Sequence, residues 1–306
     1  GPSQRVVPQA HLTKLSYDDI INILDPLIGE PPDPLRKSIV NVPDGLANIS
    51  TYLKFVDREK DVIQLMKNME DLYRLIKNRN NYSESKKEIR FPTAVGTPGK
   101  GKTTFARRAY EKSGIYSGVI SSDVMDAVEE CQEAGRTFRV VCNDFSVAMH
   151  PNIEHESLFG KVLLYEALKY RLKSFTHNML INMLEGNINL EDILKVILHY
   201  IPCLDEQIEY PLFIINIDET NELFDSGQGG LWLREVLRSL SRVITNNANR
   251  YFLFVVLSGT HASDLFEAVK SSNAKIEDIS LPLLKFEHAE EVLLELANRG
   301  VVDEAK

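Results

Sequence analysis

Cysteine is scarce in this chain, which has only Cys131, Cys142 and Cys203 among 306 residues. Three widely spaced thiols give neither a disulfide framework nor a paired zinc-ligand motif, and they read as small buried hydrophobes. The seven histidines are scattered as well, and none is assigned to a metal. No apolar run approaches the roughly 20 residues needed to cross a bilayer, so no membrane partner is expected. Basic residues are in deficit, 35 Lys and Arg against 44 Asp and Glu, for a net charge of −9. That balance argues against a broad electrostatic surface for nucleic acid, although a local patch could sit within it. The densest basic stretch (Arg74, Lys77, Arg79, Lys86, Lys87 and Arg90) is interleaved with Asn80, Asn81 and Ser83 and reads as a solvated loop.

The positive signals are strong. A hydrophobic fraction of 43% is ordinary for a soluble globular protein, and the length suits one large or two modest domains. The segment Gly96, Thr97, Pro98, Gly99, Lys100, Gly101, Lys102, Thr103 fits G-x-x-x-x-G-K-[ST], the loop that wraps the phosphates of a nucleotide. Glycines let successive backbone N–H groups turn toward an anion. Lys102 is expected to reach the β- and γ-phosphates, and the Thr103 hydroxyl to ligand Mg²⁺. Residues 88–95 read as a strand and residues 102–113 as a helix, so the order is strand, loop, helix. The helix adds the positive end of its dipole. Pro92 cannot donate to a central ladder and is expected near the strand start.

A second half-site lies more than a hundred residues on. Residues 210–219 form a near-continuous apolar run ending in Asp218 and Glu219, which suits a strand buried on both faces of a parallel sheet. Asp218 is expected to give the second Mg²⁺ contact, direct or through water, and Glu219 to orient or deprotonate the attacking water. Another buried strand, 251–257, ends at Ser258, Gly259 and Thr260.

Alternating strand and helix patterns predict an α/β fold: a three-layer P-loop NTPase with a parallel five-stranded sheet flanked by helices. Further helices are predicted over 57–78, 122–134, 231–244 and 287–298, and further strands over 137–143 and 276–281. Residues 144–210 are too long for one connection and carry at least two helical patterns, at 157–174 and 190–200, which makes them a helical insertion. Three units are expected: an irregular N-terminal arm over 1–50, an NTPase core over 51–286, and the start of a C-terminal helical lid over 287–306. Within the arm, a short helix over 17–24 is capped by Ser16. Gly1, Pro2 and Ser3 read as a cleavage scar, so the natural N-terminus is expected elsewhere. Gly96, Asp218 and Ser258 all follow strand ends, the edge where ligands bind in such sheets.

The order of these motifs resembles the P-loop ATPases of the AAA and STAND type. Phe55, Val56, Asp57, Arg58 and Glu59 look like the F-V-G-R-E box of those proteins, with Asp57 in place of the glycine. The resemblance implies that Phe55 and Arg58 lie against the adenine and ribose; the same segment also reads as a helix start capped by Asp57. It further implies a polar γ-phosphate sensor at Ser258 and Thr260, where STAND proteins often carry an arginine that this chain lacks. More narrowly, the G-x-P-G-x-G-K-T-x-F loop, the I-D-E strand and the L-S-G-T strand end resemble the NTPase module of Crinkler-type effectors and related retrotransposon-hotspot proteins. Such a likeness would cover about residues 55–300 and implies a secreted effector acting inside a host cell, often in the nucleus. The absence of N-K-x-D favours ATP over GTP.

The expected function is Mg²⁺-dependent ATP binding and hydrolysis. The nucleotide would be held by residues 96–103 with Thr104, and Lys102 and Glu219 would carry the chemistry. A homo-oligomer could supply an arginine finger, with Arg234, Arg238, Arg242 and Arg250 as candidates. Two alternatives stand beside this: a nucleotide-dependent switch with little hydrolysis, exposing the insertion or the N-terminal arm to a protein partner, and the motor part of a longer nucleic-acid-acting protein.

Overall fold

Residues 212–218 are apolar apart from Asn216 and Asp218, and β-branched and aromatic side chains of this kind favour a pleated, doubly covered strand. In the computed structural model they form a strand buried at every position. The structure describes residues 13–29, 58–78, 89–96, 101–110, 118–142, 153–172, 175–218, 220, 229–246, 251–259, 265–267, 270, 275–279, 281, 283, 285, 287–288, 290 and 294.

In chain order the elements are α1 (Tyr17–Leu24), α2 (Glu59–Lys77), β1 (Arg90–Val95), α3 (Lys102–Arg108), α4 (Ser122–Ala134) and β2 (Thr137–Val141). There follow α5 (His155–Leu168), α6 (His177–Met183), α7 (Leu190–Tyr200), β3 (Leu212–Asp218), α8 (Gly229–Thr245), β4 (Phe252–Gly259) and β5 (Lys275–Asp278). The five strands make one sheet in the order β2-β3-β4-β1-β5, and every neighbouring pair is parallel. Strand β4 therefore separates the strand before the phosphate loop from the strand that ends in Asp218. The two central strands, β3 and β4, are buried along their whole length.

Pro92 sits inside β1 rather than at its start, yet the β1–β4 register begins one residue later, at Thr93 opposite Leu257. Its missing N–H falls where that ladder has not begun. Strand β5 covers 275–278 rather than 276–281, with Ile279 N–H still donating to the Thr93 carbonyl at 2.8 Å. Strand β2 stops at Val141, two residues short of the expected end. Helix α3 is shorter than expected, ending at Arg108. The expected helix over 287–298 lies largely outside the described residues.

Between β2 and β3 the described residues form three helices, one more than the two patterns that could be placed by residue number. Helix α5 ends at Leu168 in a turn closed by Arg171 N–H to the Leu168 carbonyl, 2.8 Å, and Thr176 starts a new helix by accepting from Met179 N–H. Trp232 of α8, fully buried, meets Phe159 of α5 edge-on and joins this group to the core. Helix α1 begins at Ser16 with a reciprocal capping box to Asp19 and packs on α7. Its docking is polar as well as apolar: Tyr17 OH lies 3.2 Å from His199 Nδ1, and Tyr200 OH donates to Asp25 at 2.8 Å. Gly186 allows a parallel bridge between Lys14 and Asn187, because a Cβ there would stand 2.5 Å from the Thr13 carbonyl oxygen.

Helix α2 starts at Glu59 with Arg58 in the N-cap position and no side-chain cap, while Asp57, the expected cap, lies outside the described residues. A buried ion pair joins Arg136 at the head of β2 to Glu130 of α4. Arg136 also donates to the carbonyls of Leu212 (3.1 Å) and Pro202 (3.0 Å), which ties the α4–β2 turn to the entry of β3.

Candidate functional site

Side chains at i and i+2 share one face of a strand, so Asn216 and Asp218 point the same way from β3. Asn216 Nδ2 donates to the Ala106 carbonyl at 3.1 Å, which fixes α3 over the carboxyl half of β3. That helix is entered through Gly101, whose φ of +76° is a left-handed conformation costly for any residue with a Cβ. Nothing stands within 4 Å of where that Cβ would be, so backbone conformation and not space demands the glycine. Lys102 and Thr103 then occupy the first turn of α3. Lys102 Nζ donates to the Gly96 carbonyl at 2.7 Å, bridging the two ends of the phosphate loop. Gly96 is held to the next strand by its N–H to the Gly259 carbonyl, 3.3 Å.

Asp218 is the centre of this cluster and is almost fully buried. Its Oδ1 accepts from the Ser258 hydroxyl, and its Oδ2 accepts from the Thr103 hydroxyl at 2.9 Å. The same Oδ2 takes two N–H groups of Arg139, Nε at 2.9 Å and Nη2 at 2.7 Å. Burial alone would raise the pKa of this carboxyl. The Ser258 hydroxyl, the Arg139 guanidinium and the Thr103 hydroxyl outweigh burial and hold it below the ordinary carboxylate value. A carboxylate kept ionised in a dry setting is suited to a hard cation.

Thr103 Oγ1 and Asp218 Oδ2 are oxygen donors of the kind Mg²⁺ takes, and they stand at hydrogen-bond distance from each other. Among the described residues no cluster of three or more His, Cys, Asp or Glu could hold a metal by protein side chains alone. Mg²⁺ ordinarily takes few protein ligands and completes its shell with water and phosphate.

Of the sequence-derived site residues, Gly96, Gly101, Lys102, Thr103, Asp218 and Ser258 come together at the carboxyl ends of β1, β3 and β4. Thr97, Pro98, Gly99, Lys100, Phe55, Glu219 and Thr260 lie outside the described residues, as does the side chain of Thr104. Arg58 is buried at the start of α2 and faces Asp61 at 3.9 Å. Ser258, expected to face the γ-phosphate, turns its hydroxyl to Asp218, while its carbonyl accepts from Thr220 at 3.1 Å.

Among the arginines on α8, Arg242 is paired with Glu156 of α5 at 2.6 Å, and Arg238 and Arg234 neighbour Glu235 at 2.8 and 3.6 Å. Arg250 lies outside the described residues. A polar cavity of ≈ 470 Å³ lined by Glu154, Glu156, Glu191, Arg242 and Asn246 sits where α8 runs toward the start of β4, the sheet edge opposite Asp218.

Sequence reasoning missed Arg139, Asn216 and Thr220. Asn216 was visible as a polar interruption of an apolar strand. Arg139 was not, because its partner depends on the β2–β3 register, which sets Arg139 beside Asn216 and so within reach of Asp218.

No protein-family profile matches the chain, and no curated protein matches it. Among solved structures the chain is similar to the Aeropyrum pernix ORC1 protein, which was determined in complex with DNA. The identity is 15% and the TM-score 0.42, over 80% of this chain and 50% of that one, so the present chain spans about half the length of that protein.

Proposed function

We propose that this chain binds ATP with Mg²⁺ and hydrolyses its β–γ bond. The observation that carries the reading is the meeting of Thr103 and Asp218, 115 positions apart in sequence, at 2.9 Å beside Lys102 and the end of the phosphate loop. Phosphoryl transfer of this type is accomplished by positioning and electrostatics, and the residues divide that work. The loop amides and Lys102 hold the β- and γ-phosphates. Thr103 and Asp218 would hold Mg²⁺, whose chemistry when bound would be to offset the negative charge of the phosphates. Ser258 keeps Asp218 oriented and ionised. Glu219, next after Asp218 in sequence, accepts the proton of the attacking water.

The AAA and STAND assignment, and the finer one to Crinkler-type modules with a host-directed location, rest on the sequence motifs. Among the described residues no helix is long and apolar enough to cross a membrane. Arg234, Arg238 and Arg250 remain finger candidates for a neighbouring subunit. Arg242 would have to leave Glu156 first.

The test is nucleotide binding and hydrolysis across a protein concentration series for the wild type, Lys102→Ala and Glu219→Gln. Lys102→Ala is expected to lose binding. Glu219→Gln should bind normally and turn over about 10²–10⁴-fold more slowly, the usual contribution of a general base. Turnover rising with concentration supports a finger from a second subunit. Tight binding without turnover at any concentration would replace hydrolysis with the switch reading, and absence of binding would defeat both.

A further inference from the structure

Asp218 Oδ2 accepts three donors: the Thr103 hydroxyl and two N–H groups of Arg139. A carboxylate oxygen offers about two lone-pair sites, so this atom is saturated. It is also the oxygen that stands at hydrogen-bond distance from Thr103, the other oxygen donor of the kind Mg²⁺ takes. The guanidinium and a divalent cation therefore require the same lone pairs of the same atom.

The two members of the pair differ in freedom. The Asp218 side chain is 3% exposed and pinned on its other oxygen by Ser258, whereas the Arg139 side chain is 36% exposed at the outer strand of the sheet. Only Arg139 can move outward. Among the described residues it is ion-paired with no other carboxylate.

We propose that Arg139 is a positioning residue that occupies the divalent-cation face of Asp218 and must be displaced for Mg²⁺ to bind, so that the site excludes metal until nucleotide phosphates help to recruit it. The inference rests on reading Thr103 and Asp218 as the cation ligands. It makes Arg139 a stand-in cation: Asp218 stays ionised in its buried setting, and Mg²⁺ alone binds weakly. Phosphates arriving on Lys102 and the loop amides add the oxygens that tip the exchange toward Mg²⁺. The freed guanidinium then carries its charge to the solvent side.

The decisive measurement is Mn²⁺ binding to the nucleotide-free full chain by electron paramagnetic resonance, for the wild type, Arg139→Gln, Arg139→Lys and Asp218→Asn. Arg139→Gln is expected to bind Mn²⁺ at roughly tenfold lower concentration, because a competing unit charge a few ångströms from the ion has gone. Arg139→Lys, which keeps a charge but loses the fork, should lie between, and Asp218→Asn should bind none at this site. Equal Mn²⁺ affinity in the wild type and Arg139→Gln overturns the proposal, as does the lack of any Asp218-dependent binding in both. A purely structural Arg139 would lower the melting temperature and leave Mn²⁺ affinity unchanged. Should Arg139→Gln fail to fold by circular dichroism, Arg139→Lys decides by the same criterion. Binding of a fluorescent ATP analogue in EDTA, with Lys102→Ala as control, separates the two claims. If the Mn²⁺ shift occurs but no nucleotide binds, the nucleotide reading fails and the competition at Asp218 stands.

Discussion

Asn216 donates its side-chain amide to the Ala106 carbonyl at 3.1 Å, a bond between the strand ending in Asp218 and the helix that begins with Lys102. Both halves of the candidate site are held in register by this contact. Asn216→Ala should destabilise the fold by about 1–3 kcal/mol, since it leaves the buried carbonyl without that donor. Nucleotide affinity, measured by fluorescence titration, should fall as well, because α3 is no longer fixed against β3.

Gly101 is required for its backbone conformation alone. Gly101→Ala meets no steric neighbour, yet it pays about 1–2 kcal/mol for a left-handed φ. Urea unfolding should show a loss of that size. A cost near zero would mean that residue 101 can enter α3 with negative φ.

Lys161 is buried on α5 with its ammonium donating to the Leu184 carbonyl at 2.7 Å, and burial pushes its pKa down to about 8. An unfolded lysine titrates near 10.4, so between pH 8 and that value the unfolded chain binds more protons than the folded one. Stability should therefore rise with pH across this window and carry the full penalty below pH 8. The penalty is on the order of 3 kcal/mol, partly offset by the bond to Leu184. Lys161→Met should be more stable than wild type by about 1–2 kcal/mol at pH 7, with the difference shrinking toward pH 10.5. Chemical denaturation at pH 7 and pH 10 checks both the sign and the window.

Arg136 carries a buried charge that no apolar residue can replace alone. Arg136→Met strands the Glu130 carboxylate and two carbonyls, and should cost about 3–5 kcal/mol. Among the substitutions considered it should have the largest effect on the unfolding midpoint, while a correctly folded remainder keeps its nucleotide affinity.

Much of the fold was legible because its strands are uniform. The apolar runs around residues 212–218 and 252–259, rich in β-branched and aromatic side chains, suit a doubly covered parallel strand, and the phosphate-loop glycines announce the turn between β1 and α3. Helix α1 was readable from Ser16 as its cap, whereas the reciprocal bond to Asp19 came only with the structure. The third insertion helix was not, because α6 is short and its cap, Thr176, follows a turn with no glycine or proline to mark it. Arg139 was hidden for another reason. Lone arginines in strands are common, and only the pairing of β2 with β3 brings this one to Asp218. Ser258 shows the same limit, since its position was readable and its hydrogen-bond partner was not.

The docking of α1 on α7 also bears on how the molecule assembles. Tyr17 and His199 are 182 positions apart, so at about 5–20 residues per second a ribosome needs roughly 10–40 s between making one and the other. Until α7 is made, α1 lacks the helix on which it packs, and closing so long a loop is an intrinsically late event. The earliest described segment of the chain is thus among the last to find its place, and until it does the outer side of α7 stays open to whatever else is apolar nearby.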